Sequence, residues 1–233
     1  MRSRIAVLAS GGGSNLQAIL EHFDRLGDRR GGEVVLVASD RSNAGALERA
    51  ARRGVIATVH STPARTGAAT LGEILDEHDI DLVVLAGYLK LIPPEVVARY
   101  EGRIINVHPS LLPAFGGPGM YGQRVHRAVI ESGARVSGVT VHSVDEVYDH
   151  GRIIAQWPVP VFPSDDAGTL AARVLRVEHL FFPRVVDAIA SGRTVFNTPA
   201  ATADAIIDAR PSFTLLSHED SRLAENIELA LGC

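Results

Sequence analysis

A single cysteine, Cys233, stands in this 233-residue sequence, which leaves no intramolecular disulfide framework and no cysteine-based metal cluster. A reducing compartment is therefore expected, and a cytoplasmic location with it. Positive charge is also short. With 23 Lys and Arg against 27 Asp and Glu the net charge is −4, so no basic field exists to hold a nucleic acid. No apolar run approaches the roughly 20 residues of a membrane span. Arg2 and Arg4 ahead of apolar residues 5–9 imitate a secretory leader, but the run is too short and passes into Ser10-Gly-Gly-Gly-Ser-Asn15 without a cleavage site. Internal repeats, low-complexity tracts and a linker long enough to separate two domains are absent as well.

What remains is an ordinary globular chain. It is long enough to bury roughly 70–75% of its unfolded surface in one large domain, and too short for two catalytic ones. Five runs rich in Val, Ile and Leu, at 5–9, 34–38, 55–59, 82–86 and 104–107, alternate with segments of helical spacing such as Leu16, Ile19, Leu20 and Leu71, Ile74, Leu75. Apolar runs that are continuous rather than alternating mark parallel strands covered by helices on both faces. The pattern predicts an α/β fold, a Rossmann-like open, mostly parallel sheet with helices on both faces. Residues 136–144 and 153–161 read as longer, partly alternating strands and predict a mixed edge in the second half. A long helix is expected over 166–191, with an acidic first turn and a kink or interruption at Pro183. The domain is expected to span 1–192, with 193–233 an appendage that ends in an amphipathic segment at 221–231 and is not an independent domain.

Gly11-Gly12-Gly13-Ser14-Asn15 lies between the first strand and the first helix, where backbone N–H groups and a helix dipole converge. Phosphate is the natural guest. Glycines allow close backbone approach, and Ser14 or Asn15 is expected to cap the helix and donate to phosphate oxygens. A dinucleotide fingerprint would use Gly11, Gly13 and Asp40, but Leu16 occupies the place of its third glycine, so a monophosphate ranks above a nicotinamide cofactor.

Asn106 and His108, two apart at a strand's carboxyl end, point to one face, and polar side chains at such ends belong to the ligand crevice of open α/β sheets. An amide and an imidazole side by side can stabilise an oxyanion and move a proton. The other histidines offer less. His22, His60, His78, His126 and His218 read as solvated or locally bonded, His142 as a satisfied strand residue and His150 as a surface residue, while His179 stays open. No two histidines show an i, i+4 spacing, so no metal is expected.

Taken together, Ser10-Gly-Gly-Gly-Ser-Asn-Leu16, Leu85-Ala-Gly-Tyr-Leu-Lys90, Ile105-Asn-Val-His-Pro-Ser-Leu-Leu-Pro113, His142-Ser-Val-Asp-Glu-Val-Tyr-Asp149 and Gly151-Arg-Ile-Ile-Ala-Gln156 make the chain resemble the folate-dependent phosphoribosylglycinamide formyltransferases of purine biosynthesis. The resemblance implies formyl transfer from the co-substrate 10-formyltetrahydrofolate to the amine of glycinamide ribonucleotide. It implies a catalytic triad of Asn106, His108 and Asp149, a 5′-phosphate on Gly13, Ser14 and Asn15, and a ribonucleotide contact from Glu178. Folate is implied along Leu89, Lys90, Leu91 and Ile92, beside Asn106, against Val144, Asp145 and Asp149, with Arg65 near its tail. The segment 115–122 is longer and more glycine-rich than the family's common form and is expected to be a mobile border of the site.

The mechanism that follows is direct acyl transfer through a tetrahedral intermediate, with small-molecule substrates, no nucleic acid or membrane partner, and a monomer or homodimer as the working form. Formyltetrahydrofolate hydrolase and methionyl-tRNA formyltransferase share the Asn/His/Asp chemistry and are the alternatives. The first normally carries an amino-terminal regulatory domain and the second a carboxy-terminal RNA-binding one. A non-catalytic nucleotide-binding module would explain the glycine loop and leave the triad without a reason to converge.

Overall fold

A computed structural model describes residues 2–60, 69–193 and 220–231. Its strands are β1 (Ser3–Leu8), β2 (Gly32–Ser39), β3 (Ile56–Val59), β4 (Leu82–Leu85), β5 (Ile104–His108), β6 (Val136–Ser143) and β7 (Ile153–Pro160). They form one sheet in the order β3-β2-β1-β4-β5-β6-β7. The first five are parallel, and β6 and β7 are antiparallel additions on the β5 side. The expected mixed edge is therefore present. The strand order reverses between β1 and β4, which opens the crevice where ligands bind in sheets of this kind.

The apolar runs are continuous because alternate residues enter different cores. In β1, Ile5 and Val7 pack on one face with α1 (Ser14–Leu26) and α6 (Ala167–Ala190). Ala6 and Leu8 pack on the other with α3 (Leu71–Glu77) and α4 (Pro94–Arg99). The remaining helices are α2 (Gly45–Arg52), α5 (Gln123–Glu131) and α7 (Asp220–Leu231).

Three expectations need correction. Strand β3 is not covered on both faces, because among the described residues it is the terminal strand, paired only with β2, and Ile56 and Val59 are 50% and 47% exposed. Helix α6 begins one residue later than expected, and Asp166 is its N-cap rather than part of its first turn: Asp166 Oδ1 accepts the Thr169 N–H at 2.7 Å and Thr169 Oγ1 accepts the Asp166 N–H at 2.9 Å. Pro183 does not interrupt the helix. Pro183 lacks the N–H that would reach the carbonyl of residue 179, but burial of Phe181, Phe182, Val185 and Val186 around it holds the segment helical. The amphipathic segment expected near the carboxyl end is α7, which buries Ile227 and pairs Glu228 with Arg184 of α6 at 2.6 Å.

Burial lowers several histidines. It holds His22 down to about 4, helped by the Arg184 charge, and it is also the leading cause for His60, His126 and His179. Between its lowered folded value and the unfolded value of about 6.5, each binds more protons unfolded than folded, so stability rises with pH in that window. The denaturant midpoint is expected to be highest above pH 6.5 and to fall as pH drops toward 4.5, with His22→Gln flattening part of the slope. A midpoint flat from pH 4.5 to 7 would contradict the buried neutral state.

Candidate active site

The glycine loop leaves β1 and enters α1 at Gly13, the N-cap, with φ 75°. Among the described residues no side chain caps this helix, so the expected capping by Ser14 or Asn15 is not realised. Ser14 is instead the first helical residue. Gly13 is required twice over, since its backbone is left-handed and a Cβ there would stand 2.7 Å from Ala46 Cα of α2. Helix α2 lies directly on the loop: the Ala46 N–H reaches the Gly11 carbonyl at 3.1 Å and Arg49 Nε donates to the Gly12 carbonyl at 2.7 Å.

The Asn15 amide is buried and donates to Glu178 Oε2 on α6 at 2.7 Å. Asn15 thus joins the loop to Glu178. Burial pushes the Glu178 carboxyl up, against the pull of that amide. Asn15 Oδ1 is buried without a hydrogen-bond partner among the described residues.

Asn15 and Glu178 share a cavity of about 420 Å³ with Leu89, Lys90, Leu91, Asn106, His108, Val144, Asp145 and Asp149. Gly13 and Ser14 stand outside its lining, as does Ile92, which is buried in the second core with Val96 and Tyr100. Arg65 and His218 lie outside the described residues. Segment 115–122 does border the cavity, through Gly117, Gly119, Met120, Tyr121 and Gly122.

Asn106 and His108 project from one face of β5, and the antiparallel register sets His142 of β6 opposite Asn106. The connection from β6 to β7 folds back over this face and delivers Asp149, which sits in the left-handed region at φ 55°, a conformation that Asp tolerates better than most residues. Asp149 Oδ2 lies 3.4 Å from His108 Nδ1 and accepts the Gly117 N–H at 2.9 Å, while Oδ1 lies 3.6 Å from His142 Nε2. Burial alone would raise the Asp149 carboxyl, but His108, His142 and the Gly117 N–H outweigh it and hold it well below the usual carboxylate range. Asp145 closes the same connection, taking the Val147 N–H at 2.8 Å and the exposed His150 at 3.0 Å.

His108 meets acceptors at both ring nitrogens, because Nε2 lies 2.9 Å from the Phe115 carbonyl. Phe115 thus holds the nitrogen that Asp149 does not. His142 is the satisfied strand residue that the sequence suggests, buried and partnered at both ring nitrogens. Its Nδ1 has the Ser143 carbonyl at 2.8 Å, and its Nε2 stands 3.0 Å from the Asn106 amide nitrogen on the side that faces Asp149. His126 of α5 also lines the cavity, with Nδ1 buried and unpartnered among the described residues. An amide donor, an imidazole and an ionised carboxylate around one cavity equip it to stabilise an oxyanion and move a proton.

The family model described as Formyl transferase matches residues 3–186, and the chain belongs to the formyl transferase family. It is 46% identical over 199 residues to a chloroplastic phosphoribosylglycinamide formyltransferase of Vigna unguiculata; the match takes in 84% of this chain and 63% of that one. It is 38% identical over 204 residues to the phosphoribosylglycinamide formyltransferase of Escherichia coli strain K12, a match covering 86% of this chain and 93% of that protein. The crystal structure of glycinamide ribonucleotide transformylase 1 from Symbiobacterium toebii superposes with a TM-score of 0.74 at 43% identity, over 82% of this chain and 89% of that one. Among the described residues no helix is long and apolar enough to cross a membrane.

Gly13→Ala is expected to cost about 1–3 kcal/mol in denaturant unfolding, from backbone strain and the collision with Ala46. Gly11→Ala, where a Cβ meets nothing within 4 Å, is expected to stay within about 1 kcal/mol of the parent. Equal stability of the two variants would contradict the packing of α2 on the loop.

Proposed function

We propose that this protein transfers the formyl group of 10-formyltetrahydrofolate to the amine of glycinamide ribonucleotide, yielding the formylated ribonucleotide and tetrahydrofolate. The observation that carries this reading is the convergence of Asn106, His108 and Asp149 on the cavity that also holds the Asn15–Glu178 pair. The first three suit the chemistry of a formyl carbon. The pair stands beside the glycine loop, whose N–H groups at the start of α1 suit a phosphate.

In the reaction the neutral amine attacks the formyl carbon, a tetrahedral intermediate forms, and the folate nitrogen leaves after gaining a proton. The Asn106 amide and the His108 imidazole stabilise the oxyanion. Asp149 remains an anion throughout and acts through His108, which it holds by Nδ1 at 3.4 Å while Nε2 serves as the donor. Because His108 Nε2 is bonded to the Phe115 carbonyl, delivering that donor to the oxyanion requires Phe115 to give way. The folate lies along Leu89, Lys90 and Leu91 and against Val144, where the wall is partly apolar. Holding both substrates in one cleft can contribute about 7–11 kcal/mol at best. No covalent intermediate on the protein is needed.

The test offers one formyl donor, 10-formyltetrahydrofolate, to three acceptors in turn: glycinamide ribonucleotide, methionyl-tRNA and water. Formylated ribonucleotide is the expected product, and formate release or tRNA formylation at a higher kcat/KM would overturn the reading. Asp149→Asn and His108→Ala are each expected to lower kcat by about 10²–10⁴-fold, and the double variant to be far less impaired than their product, because the two groups act as a unit. Fully multiplicative losses would separate Asp149 from His108.

A further inference from the structure

Asp40 follows β2 at the place where a dinucleotide-binding sheet carries its ribose acid, yet its carboxylate turns inward. The side chain is 7% exposed, and Oδ1 accepts the hydroxyl of buried Ser10 at 2.6 Å. That same hydroxyl oxygen accepts the Leu89 N–H at 3.0 Å, while the Ser10 N–H reaches the Gly87 carbonyl at 3.0 Å. Beside this relay the Tyr88 hydroxyl and His60 Nε2, both on buried residues, lie 3.2 Å apart. Residues 87–89, which form one wall of the cavity, are thus tied to the ends of β1 and β2 by polar contacts made beneath them.

A serine hydroxyl has one proton and rotates freely, so by itself it sets no direction. A carboxylate at 2.6 Å fixes that proton through a charge-assisted bond and leaves the oxygen's lone pairs for the Leu89 N–H. We propose that Ser10 and Asp40 are positioning residues for the folate side of the site: they set the path of the Leu89 backbone and therefore the shape of the slot that Leu89, Lys90 and Leu91 present. The assignment rests on the proposed function, since only a ligand along this wall makes its position matter to catalysis. Nothing in the relay touches the reacting atoms.

The test compares Ser10→Ala, Asp40→Ala and Asp40→Asn by titration with two ligands, a non-reactive 10-formyltetrahydrofolate analogue and glycinamide ribonucleotide. Ser10→Ala and Asp40→Ala are expected to raise the folate Kd by about tenfold, the equivalent of one lost buried hydrogen bond. Ribonucleotide Kd is expected to change by no more than about twofold, and Asp40→Asn, which keeps an acceptor for the hydroxyl, to fall between the parent and Asp40→Ala. The Ser10→Ala/Asp40→Ala double variant is expected to bind folate no more weakly than Ser10→Ala, as members of one chain do. Unchanged folate affinity in the folded variants, or equal losses for both ligands, would overturn the relay while leaving the function standing. A parent protein that binds neither ligand would overturn both.

Discussion

The register between β5 and β6 is the constraint on which the site depends. Side chains alternate faces along a strand, so a slip of one residue would send Asn106, His108 or His142 to the opposite core. Thr140 helps to prevent it. Placed opposite His108, its buried hydroxyl donates to the Ser110 carbonyl at 2.6 Å and accepts from the Leu112 N–H and the Gln156 amide, each at 3.0 Å. The chain leaving β5 is thereby fastened to β6 and β7 at the point where the site begins. Without that fastening, the amide, the two imidazoles and the carboxylate would have no common position.

Each half of the sheet contributes something the other cannot. Parallel strands send the loops after β1, β4 and β5 to one edge, where helix amino termini and backbone N–H groups are available to an anion. The antiparallel half supplies a return connection, residues 144–152, that crosses the face of the sheet. Asp149 is carried on it, and the tightness of its end explains Gly151, where a Cβ would run into the Ser143 carbonyl. A buried carboxylate is costly unless paired; two imidazoles and the Gly117 N–H provide the pairing, and the Gly117 contact also joins the Asp149 connection to segment 115–122.

Much of this was legible before the structure. The alternation of apolar runs and helices predicts the doubly wound sheet, and the spacing of two places Asn106 and His108 on one face. The motif ending at Asp149 carried the acid only by resemblance, because no local pattern says that a loop folds back over a strand. For His142 the strand and its satisfaction were legible but not its partner: it stands opposite Asn106, and cross-strand register leaves no mark in either strand alone. Ile92, which packs in the second core outside the cavity lining, shows a different limit: an apolar residue beside a ligand slot and an apolar residue in the core look alike in a sequence. Pro183 was misjudged because local propensity was weighed without the burial around it. The bond from His108 to Phe115 was not legible either, because it depends on a turn whose path only the fold reveals.

The central claim is that the formyl group passes directly between two ligands held in one cavity while Asn106, His108 and Asp149 act without covalent attachment. Its most direct test is a single-turnover experiment with enzyme in excess, formyl-labelled 10-formyltetrahydrofolate and glycinamide ribonucleotide, quenched in acid on the millisecond scale. The account predicts that label lost from the folate appears at the same rate on the ribonucleotide, with none on the protein at any time. Label that passes transiently through the protein before reaching the ribonucleotide would contradict it.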